Sequence, residues 1–175
     1  MVGMALPNDY EGQACSLSRA LEIVGERWTL LIVRDAFFGV RRFGDFVTRL
    51  RIPRAVLTER LKALTAAGVL ARVPGAGRRE EYELTEKGVA LWPAVRALTA
   101  WGDDFYSPDG PRRRFLHTAD NAPIEVSGRC TGCGVTVGVG ETLVAPGPGL
   151  RSVADQDPVT AALVEPHALL QPLRA

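Results

Sequence analysis

An α+β fold, in which short helices run into a two-stranded hairpin, is predicted by three patterns in the sequence. Apolar residues at Phe43, Phe46, Val47 and Leu50 follow the i, i+3, i+4, i+7 spacing of a one-sided helix. Leu57, Leu61 and Leu64 form a second helical stripe, opened by Pro53 at a first helical position and stopped by Gly68. Val69–Val73 and Glu81–Leu84 then read as short strands joined by the basic, glycine-rich tip Pro74-Gly75-Ala76-Gly77-Arg78-Arg79.

The flanking segments follow in order. Residues 1–14 read as an N-terminal arm, broken by Pro7, Asn8 and Gly12. Ser16 is a plausible N-cap for a helix with Leu17, Ala20, Leu21 and Val24 on one face, ending near Gly25. Trp28 to Phe37 is apolar nearly all round, as a buried scaffold helix is. After the hairpin, Thr85 caps a helix striped by Leu91, Val95, Leu98, Gly102 and Phe105, with Pro93 bending it or marking a late start. Trp92 and Trp101 add apolar surface that a core of this size does not fully cover, as expected of a helix that buries its excess against a second subunit. Asp109-Gly110-Pro111 marks the domain boundary, so residues 15–108 form the main domain. Residues 109–175 are expected to be a small β-rich, ribbon-like appendage with an irregular tail. Its candidate strands are Ile124–Val126 and Val135–Val137, with a short helix at Val159–Val164.

The charge is local. The 175 residues carry a formal net charge of +1, yet residues 41–79 hold ten Lys or Arg against Asp45 and Glu59, an excess of +8. Such an excess in a nearly neutral chain suits a phosphate-facing surface; the alternative is an ordinary solvated arginine-rich face. An apolar fraction of 46% and a charged fraction of 23% are those of a globular protein. No apolar run has the length of a membrane span, so no membrane partner is expected, and the absence of a basic leader points to the cytoplasm. No GxSxG elbow, P-loop or HExxH helix occurs, and the two histidines are far apart, which argues against an enzyme. The glycine-rich Gly138-Val139-Gly140-Glu141 lacks a strand–helix context and reads as loop.

Six ordered blocks between Ala14 and Phe105 resemble one known group. They are Cys15-Ser16-Leu17, Gly25-Glu26-Arg27-Trp28-Thr29-Leu30-Leu31-Ile32, Arg42-Phe43-Gly44-Asp45-Phe46, Leu57-Thr58-Glu59-Arg60-Leu61-Lys62-Ala63-Leu64, Gly68-Val69-Leu70 and Tyr82-Glu83-Leu84-Thr85-Glu86-Lys87-Gly88. The group is the HxlR-type winged helix-turn-helix transcriptional regulators, relatives of the MarR group. The resemblance implies a homodimer held by its first and last helices, which binds double-stranded DNA at a pseudo-palindromic operator with one recognition helix and one wing per subunit. It also implies a repressor that releases its operator on meeting a small molecule or oxidant.

The residues agree with a docked helix and wing. Thr58, Glu59 and Lys62, with Arg54 at the helix entry and Arg60 on its flank, are candidates for groove contacts, and Arg41, Arg42, Arg78 and Arg79 for phosphates. Glu59 either accepts from cytosine N4 or braces Arg60 or Lys62.

Cys15 stands before a helix, where amide dipoles lower a thiol pKa. In several members of the resembled family a cysteine at the matching place senses oxidants or electrophiles; the other reading is a small residue packed at a dimer interface. Trp28, Phe37, Phe38, Trp92 and Trp101 line a ligand pocket or are plain core. Cys130-Thr131-Gly132-Cys133-Gly134 is a CxxCG knuckle. Structural zinc wants about four ligands, and Cys130, Cys133 and His117 supply only three, so the tail reads as a decayed zinc site, a working one, or a dithiol redox pair. No cofactor is required by the rest of the chain.

Overall fold

The computed structural model describes residues 10–75, 79–150 and 157–173. Helix α1 spans Ser16–Val24, and Cys15, in extended backbone at φ −136°, occupies the N-cap place expected of Ser16. The Ser18 hydroxyl donates to the Cys15 carbonyl at 2.6 Å. The arm is tied down where it meets α1: the Tyr10 N–H donates to Glu22 at 2.9 Å, and Arg19 donates to the Tyr10 carbonyl at 2.6 Å.

Helix α2 (Thr29–Phe37) starts from Trp28 at φ +79°, a left-handed conformation that costs a non-glycine residue about 1–2 kcal/mol. It is the buried scaffold expected, with Ile32, Val33 and Phe37 fully inside. Helix α3 (Phe43–Leu50) and helix α4 (Arg54–Ala66) pack on it through Phe46, Leu57, Leu61 and Leu64. Pro53 stands one place earlier than the sequence suggested, at the cap with ψ 133°, because its extended backbone carries the turn from α3. Gly68, at φ +70°, ends the α4 segment.

Strands β1 (Leu70–Pro74) and β2 (Glu80–Leu84) pair antiparallel, with Leu70 opposite Leu84 and Arg72 opposite Tyr82. Thr85 caps the single turn α5 (Glu86–Val89), accepting from the Gly88 N–H at 3.1 Å. Helix α6 (Trp92–Tyr106) starts late, with Pro93 in its first turn where no N–H is needed.

The tail departs from expectation. Ile124–Val126 and Val135–Val137 make only isolated bridges, and the sheet is built instead from β3 (Arg113–His117), β4 (Thr142–Pro146) and β5 (His167–Ala168), antiparallel in the order β3-β4-β5. Helix α7 (Pro158–Ala162) falls close to the expected helix. Across Asp109–Pro111 one apolar cluster runs from Phe37, Phe46 and Leu61 to Phe115, Val144, Leu163 and Leu169. Trp92 bridges the two parts, its ring 4.8 Å from Phe37 and 5.3 Å from Phe115. The backbone seals the join: the Leu170 N–H donates to the Phe37 carbonyl at 2.8 Å and the Leu173 N–H to Gly39 at 2.9 Å. A Cβ on Gly39, which lies at φ +87°, would sit 1.9 Å from the Gln171 carbonyl oxygen.

A charged group lies at the centre of this packing. Asp35 on α2 has no solvent exposure and accepts from Arg34 at 2.8 Å and from Arg49 of α3 at 3.0 Å. Arg49 also donates to Thr160 of α7. Arg113 of β3 is close enough to feel the group; burial first, then the neighbouring Arg49 and Arg34 charges, lower its pKa to about 10. Removing one member of a buried pair strands the others, at a cost of about 3–5 kcal/mol. Asp35→Ala is therefore expected to lower the urea midpoint by a corresponding amount, and an unchanged midpoint would show that the carboxylate does not hold these elements together.

Candidate nucleic-acid interface

Helix α4 presents two unlike faces. Leu57, Leu61 and Leu64 are buried against α2 and α3, while Arg54, Ala55, Thr58, Glu59, Lys62 and Ala63 are exposed. The face is where the leucine spacing places it. Arg54 lies over the Phe43 ring at 5.1 Å, and the Thr58 hydroxyl donates to the Arg54 carbonyl at 2.9 Å. Glu59 and Lys62 have no ion pair among the described residues. The bracing reading of Glu59 toward Arg60 is not what forms, because Arg60 reaches across to Glu26 at 3.1 Å, in the α1–α2 connection.

The wing is less basic than the count over residues 41–79 suggests. That window stops one residue short of β2, whose Glu80, Glu81 and Glu83 reduce the excess to +5. All three face arginines: Arg72 meets Glu80 at 3.4 Å, Arg42 meets Glu81 at 3.2 Å, and Arg41 pairs with Glu83. Arg41 also donates to the Leu170 carbonyl at 3.0 Å, so its guanidinium braces wing and tail rather than projecting outward. Arg49, one of the ten cations counted, is internal. Arg79 is exposed beside the hairpin tip, and Arg78 lies outside the described residues.

Cys15 is exposed at the start of α1. The nearby backbone amides of Ser18 and then Leu17 hold the thiol below its ordinary pKa, against an opposing desolvation. The aromatic residues chosen from the sequence do not surround one space. Phe37 is core, Trp28 is half-buried beneath Arg27, and Trp101 is exposed beside Phe105 and Tyr106. Of these, only Trp92 and Phe38 border a cavity of about 790 Å³ that opens between α2, α6 and the tail. Its walls join apolar Leu31, Val95 and Leu98 to Arg34, Arg51 and Arg113.

His117, Cys130 and Cys133 do converge, and Asp120, unmarked in the sequence reading, joins them: their four ligand atoms lie within 4.8 Å of one another. The Val135 N–H pulls the Cys133 thiol down, but desolvation and the nearby Cys130 and Asp120 outweigh it and leave the thiol above its ordinary pKa. The overlooked signal was spacing. His117-x-x-Asp120 has the same x-x gap as Cys130-x-x-Cys133, and a search for a second cysteine pair passes over it.

A helix pair carried on a buried scaffold, with an exposed polar face and an adjoining two-stranded wing, defines a winged-helix DNA-binding protein. Residues 23–110 match the HxlR-like helix-turn-helix family model, and the chain belongs to that family. It is 43% identical over 150 residues to an uncharacterised HTH-type transcriptional regulator of Mycobacterium tuberculosis, covering 84% of this chain and 94% of the relative. The HTH-type transcriptional regulator YodB of Bacillus subtilis is 33% identical over 95 residues, covering 53% of this chain and 85% of that one. Among solved structures, the candidate transcription factor PA1607 is similar with a TM-score of 0.62 and 36% identity, covering 72% of this chain and 90% of that one. The protein is thus an HTH-type transcriptional regulator, of a family that regulates transcription rather than catalysing a reaction. No helix among the described residues is long and apolar enough to cross a membrane.

The thiol environments give a direct expectation. Cys15 is exposed with a lowered pKa, Cys130 is buried, and Cys133 has a raised pKa. As pH rises toward neutrality, iodoacetamide is expected to alkylate Cys15 first, as read by peptide mass spectrometry. Faster labelling of Cys133 would contradict this ordering.

Proposed function

We propose that the chain acts as a homodimeric repressor that reads a pseudo-palindromic operator with α4 of each subunit and flanks it with the wing. The carrying observation is the unpartnered apolar face on the two helices outside the scaffold. Helix α6 buries only Val95, leaving Leu98, Trp101, Phe105 and Tyr106 more than half exposed, and Leu17 of α1 is 65% exposed. A patch of this kind is costly in water and suits a second copy. A two-fold axis through it would present two α4 helices to successive major grooves, about 34 Å apart on one side of a duplex. In this role Arg54, Thr58, Glu59 and Lys62 face base edges or the groove, and Arg42 and Arg79 face phosphates. Such a reader works where the chromosome lies, in the cytoplasm.

The signal acts on the same face. Cys15 begins α1, and the cavity beside α6 combines an apolar wall with arginines, which suits a small anionic aromatic effector. Oxidation at Cys15 or occupancy of the cavity would shift the α1–α6 packing and with it the spacing of the two recognition helices.

Selection of bound DNA from a random pool is expected to return an inverted repeat, and a motif without two-fold symmetry would refute a dimeric reader. Lys62→Ala and Arg79→Ala are each expected to weaken operator binding and to flatten the slope of log K against log salt by about one, the share of a single phosphate contact. Unchanged binding in both would remove the DNA-facing assignment. Trp101→Glu is expected to halve the mass measured by light scattering and to abolish cooperative operator binding; an unchanged mass would place the subunit contact elsewhere.

A further inference from the structure

The stretch between β3 and β4 is long for its covering. Residues 118–138 contain no strand or helix, only isolated bridges, and the cluster beneath them is limited to Ile124, Cys130 and Val137 with Ala122 at its edge. So small an apolar core does not by itself order an irregular stretch of this length. Two tight turns nevertheless lock it. In the first, the Asn121 N–H donates to the His117 carbonyl at 2.9 Å and the His117 N–H to Ala122 at 2.9 Å. In the second, the Gly134 N–H donates to the Cys130 carbonyl at 3.0 Å, and Gly134 adopts φ +76°.

The turns face each other across their side chains. The Cys133 Sγ lies 3.4 Å from His117 Nδ1, His117 Nδ1 lies 3.4 Å from an Asp120 carboxylate oxygen, and Cys130 Sγ lies 3.3 Å from the other oxygen. For metal–ligand bonds of about 2.0–2.3 Å, the edges of a tetrahedron are about 3.3–3.8 Å. The Gly132 N–H also points at the Cys130 sulfur at 3.4 Å, as an amide does toward a thiolate. Gly132 has no room to be anything else: a Cβ there would stand 2.7 Å from both Asp120 Oδ2 and Ala122 Cβ. Cys130 is 1% exposed and His117 7%, so the centre is shielded on that side.

We propose that His117, Asp120, Cys130 and Cys133 bind one Zn²⁺ in a closed, structural site that staples residues 118–138 beneath α6. Two sulfurs, one imidazole and one carboxylate suit zinc and not the all-oxygen preference of Mg²⁺ or Ca²⁺. Four protein ligands leave no position for substrate. Binding displaces the protons of the two thiols to solvent, forms two Zn–S bonds and involves no redox change. The staple reaches the winged helix through Arg96 of α6, which donates to the Ile124 carbonyl at 3.2 Å and lies 4.1 Å over the Phe115 ring.

Elemental analysis of untagged full-length protein, purified without chelator from zinc-supplemented cells, is expected to find about one zinc per chain. Chelated protein titrated with Co²⁺ should develop the d–d bands of a tetrahedral site and thiolate charge-transfer absorption. Both should vanish in Cys133→Ser, and Asp120→Ala should weaken zinc binding at least about tenfold. Should the variants fail to fold, the wild type remains decisive: thiol-specific reagent should release one metal for each Cys130–Cys133 pair modified. Chelation should raise hydrogen exchange in residues 118–138 and leave α4 protected. The proposal is overturned if reduced protein with free thiols takes up no stoichiometric zinc when reconstituted, if the Co²⁺ spectrum lacks thiolate bands, or if the Cys130–Cys133 pair is a disulfide in protein kept under reductant.

Discussion

A carboxylate with no contact to water governs how the parts of this protein meet. Asp35 draws an arginine from its own helix and another from α3, and the second continues to Thr160 in α7. Its Oδ2 has no hydrogen-bond partner among the described residues. Burying charge in this way contributes little net stability when complete, but it makes wrong arrangements expensive, because any shift of α3 or α7 leaves arginines crowded together without a counterion. The direction of α4, and so of its exposed face, follows from the position of α3 that this cluster sets.

The winged-helix part was legible because each of its elements carries a local signal. Leucine spacing fixed the buried face of α4, the glycine-rich tip separated β1 from β2, and Thr85 marked the turn after the wing. The strands of the tail were illegible for the opposite reason. Strands β3 and β4 are paired across more than twenty intervening residues, and nothing local in Arg113-Arg114 announces that Arg113 donates to the Leu163 carbonyl. Sequence patterns also do not report what a charge is paired with. Ten cations in one window looked like a DNA-facing surface, yet Arg41, Arg49 and Arg60 are committed to partners inside the chain.

The winged-helix part and the tail share one apolar core. Leu170 and Leu173 tie the last of the described residues to the end of α2, and Arg41 holds the wing strand and the tail with one guanidinium. Helix α6 lies between the exposed apolar face and the knuckled stretch, joined to the latter by Arg96. The two sides are thus joined through packed side chains.

The glutamates of β2 have a kinetic meaning. In the free protein Glu81 and Glu80 sit beside Arg42 and Arg72, and under the proposed function Glu81 stands where a phosphate held by Arg42 would lie. An arginine so neutralised gives up an existing partner when it meets DNA, so random duplex gains little from it, while a well-fitted site recovers the loss through α4. In the proposed DNA-reading role, the wing would thereby shorten the time spent on every wrong sequence and speed the search for the right one.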